Sequence, residues 1–143
     1  MKEIVLYVCY IVILVYAAYQ DSKTFKVSNQ VHIVILILSL FSNGNLLIRV
    51  LGALVITIPF LYIGIKTNQL GGGDIKFIFA NGVFLGFCNN YIGIVIGLIL
   101  VIILFFIRKC KKLSNKQRMI PLIPYLVVGY FIIYNSQLLL GRS

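Results

Sequence analysis

The sequence predicts an all-α integral membrane fold, a single polytopic bundle of about six transmembrane helices. Three observations predict it: apolar residues make up 61% of the chain, they gather into six runs, and the charged residues fall between the runs. Soluble domains use about 45–50% apolar residues, and a mean hydropathy of +1.04 lies well to the membrane side of such chains. The longest strongly polar stretch, Arg108 to Arg118, is too short for a soluble domain, so residues 1–143 read as one transmembrane domain.

A spanning helix needs about 20 apolar residues. The first run, Ile4–Tyr19, has the length of a secretory signal. However, Glu3 offsets Lys2, no A-x-A site follows, and Lys23 and Lys26 come directly after, so it reads as a retained helix. The second, about Ser28–Phe41, is short, and Leu46–Ile65 is a full span. A second short run covers about Asp74–Phe87, followed by Tyr91–Ile107 and about Ile120–Leu140. Short spans reach across by extending into their polar flanks or by thinning the bilayer.

The loops between these runs separate the charges. Lys23 and Lys26 lie in the first, Lys66 and Lys76 around the third, and Arg108, Lys109, Lys111, Lys112, Lys116 and Arg118 in the fifth. Ten of the thirteen basic residues therefore share one face, whereas Ser42-Asn43-Gly44-Asn45 and Cys88-Asn89-Asn90 carry no charge. The positive-inside rule puts the charged loops in the cytoplasm, both termini outside, and the chain in the cytoplasmic membrane. Topology thus accounts for the net charge of +10, and no nucleic-acid partner is implied; the partner that composition does imply is the lipid bilayer.

Cys9, Cys88 and Cys110 make no CxxC pair and read as packing residues or incidental thiols, with no metal site and no cofactor implied. Gly82-x-x-x-Gly86 and Gly93-x-x-x-Gly97 each set two glycines on one helix face, which reads as close helix packing within the bundle.

The chemistry lies in the scarce acids. Only Glu3, Asp21 and Asp74 are acidic, and the two aspartates fall at edges of apolar runs on the same predicted face. An ionisable group at such a place marks a functional site. Asp74 follows Gly71-Gly72-Gly73, which lets a helix begin; the first turn favours a carboxylate, and Asn81 lies two turns deeper on the same face. Taken singly, Asp74 could be a helix cap and Asp21 a loop acid paired with Lys23 or Lys26. Together they suggest acid/base chemistry. The alternative from another class is a small ion- or proton-coupled transporter with Asp21 and Asp74 as cation ligands.

Asp21 with the basic loop ending Val27-Ser28-Asn29, then Gly71-Gly72-Gly73-Asp74-Ile75-Lys76, resembles the paired motifs of the type IV prepilin peptidases, the GxGD-type membrane aspartyl proteases. Ser28 stands where the first motif has proline. Ile120-Pro121-Leu122-Ile123-Pro124-Tyr125 resembles the Pro-rich approach to the family's last helix, with Ile123 where that family has a small residue. The resemblance implies that Asp21 and Asp74 are the catalytic aspartates, with Gly71, Gly73, Lys76, Asn29, Pro121 and Pro124 supporting them. It implies a prepilin-, pseudopilin- or archaellin-like protein substrate, whose basic leader is removed beside a glycine at the cytoplasmic border of its hydrophobic helix. The zinc-binding insertion of larger members is missing, so no methyl transfer is implied.

In such a pair one carboxyl stays protonated and polarises the scissile carbonyl while the other activates water. The first-turn position favours Asp74 as the ionised base. His32 reads as an interfacial polar residue, and Lys76, two positions past Asp74 and on another helix face, as a side chain reaching lipid phosphate.

Overall fold

A computed structural model describes residues 2–67, 70–110 and 120–139. Among these the chain forms six helices: α1 (Lys2–Thr24), α2 (Asn29–Phe41), α3 (Leu46–Thr67), α4 (Gly72–Leu85), α5 (Phe87–Cys110) and α6 (Ile123–Leu139). Three of them contain stretches long and apolar enough to cross a membrane, Ile4–Thr24, Leu46–Thr67 and Phe87–Lys109. At about 1.5 Å per residue, α2 and α4, with 13 and 14 residues, are only about 20 Å long. Lys111, Lys112, Lys116 and Arg118 of the expected basic loop lie outside the described residues.

The first helix runs past its expected end at Tyr19 and takes Asp21 into its last turn. The polar residues there continue the helical ladder: Phe25 N–H donates to the Asp21 carbonyl at 2.9 Å, and the Thr24 hydroxyl to the Gln20 carbonyl at 2.9 Å. Phe25 then takes a left-handed φ of 52°, the conformation with which helices commonly stop.

A second correction concerns Cys88-Asn89-Asn90, expected as a loop and found in the first turn of α5. Gly86, at φ 81°, turns the chain in one residue, so Phe87 belongs to α5 and not to α4. The asparagines help bind this corner. Asn89 Nδ2 donates to the Leu85 carbonyl at 2.9 Å, and the buried Asn90 accepts from the Tyr130 hydroxyl at 2.9 Å. Of the expected Gly82/Gly86 packing pair, only Gly82 packs closely, against Ala53 and Asn90.

The core runs along α4, whose Phe77, Ile78, Ala80 and Phe84 are buried against Tyr10 and Leu14 of α1, Ile35 of α2, Ile56 of α3 and Leu126 and Tyr130 of α6. Most of this helix is enclosed by other helices. Beside it α5 and α6 pack almost backbone to backbone: a Cβ on Gly129 would collide with the Gly93 carbonyl, and one on Gly97 would lie 3.0 Å from the Leu126 Cα. Small residues permit this approach where lipid supplies no hydrophobic drive.

Candidate functional site

The end of α1 and the starts of α2, α4 and α6 meet at one end of the bundle, and all the motif residues lie there. Asp21, in the last turn of α1, is buried, at 4% exposure. Its Oδ2 accepts a hydrogen bond from the Ile123 backbone N–H at 3.0 Å, closing a separation of 102 residues. Ile123 is the first residue of α6, and Tyr125 and Leu126 donate to the Leu122 carbonyl at 3.2 Å each. Pro124 has no N–H to satisfy. The Asp21 carboxylate thus caps α6 from another helix, against the positive end of its dipole.

Asp74 occupies the third position of α4, behind the cap residue Gly71. Its own N–H donates to the Gly71 carbonyl at 3.0 Å, and the Gly71 backbone in turn favours the charged form of its carboxyl. Asp74 is therefore a first-turn acid and not the cap itself. A Cβ at Gly71 would stand 3.3 Å from Asp74 Oδ2, so glycine leaves the carboxyl its room. A Cβ at Gly73 would meet Val27 N at an ordinary 3.8 Å, which shows the start of α4 lying against the α1–α2 link.

Asp21 acts on Asp74 as a like charge, although 53 positions separate them. A like charge in electrostatic reach disfavours ionising both carboxyls together. Among the described residues no group of three His, Cys, Asp or Glu side chains gathers to hold a metal ion.

Around this pair Lys76 Nζ donates to Asn29 Oδ1 at 3.2 Å, joining two motif residues that the sequence offered separately. The α1–α2 link is tied by Gln20, whose Oε1 accepts from the Ser28 N–H at 3.0 Å, while Ser28 Oγ caps α2 by accepting from the Gln30 N–H at 3.3 Å. Proline at 28 could offer neither bond, so the departure from the family motif has a local cause. Asn81 is fully buried and accepts from the Tyr10 hydroxyl at 2.6 Å, so the polar stripe leading inward from Asp74 ends in a pair with α1.

His32 is buried rather than interfacial. It packs on Phe77 with ring centroids 6.3 Å apart, and neither ring nitrogen has a hydrogen-bond partner among the described residues. Sequence reasoning passed over Gln20 and read Ile123 only as a departure from the family's small residue; its part is played by its backbone, for which a side-chain motif gives no signal.

No solved structure and no curated protein matches the chain. The model of the type IV leader peptidase family matches residues 8–107, a range that includes both aspartates and stops before Pro121 and Pro124. With most of its length so matched, the chain belongs to the type IV leader peptidase family.

Proposed function

We propose that this membrane peptidase is an aspartyl endopeptidase that removes the short basic leader of prepilin-, pseudopilin- or archaellin-like precursors at the cytoplasmic face, with Asp21 and Asp74 as its acid/base pair. The observation that carries the reading is the meeting of these two aspartates, from α1 and α4, at one end of a bundle belonging to a leader-peptidase family. Lys23, Lys66, Lys76, Arg108 and Lys109 belong to helix ends at that same end, which supports a cytoplasmic placement.

In the reaction, water attacks the scissile carbonyl carbon and gives its proton to the ionised carboxylate. The protonated carboxyl donates to the carbonyl oxygen, so a tetrahedral diol forms. Collapse of the diol returns one hydroxyl proton to the second carboxylate and breaks the C–N bond, and the amine leaves with a proton given by the first carboxyl. Neither a covalent intermediate nor a metal takes part. Gly71 and Gly73 support the start of α4, Pro121 and Pro124 that of α6, and Asn29 with Lys76 holds α2 to α4.

The test is a precursor co-expressed with Asp21→Asn, Asp74→Asn and the double variant, read by mobility shift with membrane abundance measured alongside. Each single change is expected to abolish leader removal, and the double to be hardly worse, because residues acting as one unit are not additive. Substantial cleavage by either single variant would overturn the assignment. Loss of proton-coupled uptake in those variants would favour the transporter alternative.

A further inference from the structure

On the reading that Asp21 and Asp74 are the acid/base pair, we propose that the Ile123 backbone amide is a positioning group for the reaction. It holds Asp21 as the ionised member, the base that activates water, and leaves Asp74 to carry the proton. This reverses the assignment that the first-turn position of Asp74 suggests when taken alone.

The argument begins with the donors at the head of α6. Tyr125 and Leu126 spend their N–H groups on the Leu122 carbonyl, and Pro124 has none. The Ile123 N–H points out of the helix and donates to Asp21 Oδ2. An amide N–H can only donate, so Oδ2 is held as an acceptor and any proton on Asp21 must reside on Oδ1. Such a bond is stronger to a carboxylate than to a neutral acid, and the positive end of α6 acts in the same sense.

The Gly71 backbone favours charge on Asp74 in the same sense, and burial separates the two cases. Ile123 is fully buried and Asp21 nearly so. Gly71 is exposed, so water screens its effect. Burial by itself disfavours charge on Asp21, and the buried Ile123 donor with the positive end of α6 offsets that cost; since both acids cannot ionise together, Asp21 keeps the charge. Besides Asp74, the titratable or charged side chains on the helices packed against α1 are His32 on α2, Lys76 on α4 and Tyr125, Tyr130 and Tyr134 on α6. None of these is an acid that would compete for the role.

Proline is favoured at the first position of a helix, where its missing N–H is not needed by the helix itself. Ile123→Pro therefore removes the bond to Asp21 while keeping α6, and Ile123→Ala trims the side chain while keeping the N–H. A third form, with the α-hydroxy analogue of isoleucine incorporated at 123, replaces only the N–H by an ester oxygen. Each is made as the full chain in proteoliposomes and given a synthetic precursor with a basic leader, a glycine and an apolar helix. Its kcat/KM is followed against pH.

The acidic limb reports the group that must be ionised. In the proline and ester forms it is expected to move up by about one to two pH units, the worth of a hydrogen bond to a charged group. In Ile123→Ala it is expected to stay where the wild type has it. An unmoved acidic limb in the ester form overturns the proposal whether or not Ile123→Pro folds. Movement of the alkaline limb instead would make Asp21 the acid and overturn it equally. Failure of the underlying reading looks different: the wild type leaves the precursor uncut, or Asp21→Asn cuts it normally.

Discussion

The guanidinium of Arg49, near the start of α3, donates to the Phe84 carbonyl at the end of α4 at 2.7 Å. Its other arm reaches the carbonyls of Ser39 and Ser42 at the end of α2, at 3.2 and 3.3 Å. A buried cation thus serves two helix C-termini at once, donating to their terminal carbonyls and complementing both dipoles. This accounts for a basic residue at the end of the bundle opposite the aspartates. Arg49→Met is expected to cost about 3 kcal/mol. Arg49→Lys should recover less than half, because an ammonium cannot fork between two helix ends. Unfolding in detergent measures both, and a loss near zero for Arg49→Met would contradict the double-cap role.

Ser28→Pro restores the family-like residue and is nevertheless expected to destabilise. Its φ of −62° suits proline, so the cost comes from losing the bond to Gln20 and the cap on Gln30. About 2 kcal/mol is expected, with Ser28→Ala costing about 1 kcal/mol because it keeps the N–H. A stability equal to wild type for Ser28→Pro would mean that Gln20 finds another donor freely.

His32→Leu is expected to stabilise. Both ring nitrogens are buried without a partner among the described residues, and replacing such a group by an apolar one of similar volume removes a penalty of about 1 kcal/mol or more. A raised unfolding midpoint in detergent is the expected result, and a lowered one would reveal a partner that His32 needs.

Topology can be read with the native thiols in variants that keep one cysteine each. Cys88, exposed in the first turn of α5, is expected to react with a membrane-impermeant maleimide in sealed cells. Cys110, which closes α5 at the other end, should react only after the membrane is opened. Labelling of Cys110 in sealed cells would invert the chain and remove the cytoplasmic placement of the aspartates.

The order of the helices, the membrane character of the chain and the family were all legible in the residues, because hydropathy and charge are properties that each segment carries by itself. Asp21 and Asp74 could be singled out for the same reason, since a carboxylate at the edge of an apolar run is costly wherever the run ends up. The helix ends were less legible. Tyr19 seemed to close α1 and Asn89 to sit in a loop, since polar residues look like loop until their hydrogen bonds are known. In α1 the Gln20–Thr24 turn bonds to its own helix, and at the start of α5 Asn89 and Asn90 reach carbonyls of α4.

What the tertiary structure alone decided is the partner of each polar group. Ile123 gives Asp21 an N–H, Asn29 receives Lys76, Tyr10 closes on Asn81, and Arg49 joins the ends of α2 and α4. These pairs span separations from 10 to 102 residues, and two of the four use backbone atoms. Backbone N–H and C=O groups are the same at nearly every position, so only their arrangement in space can give one of them a particular role.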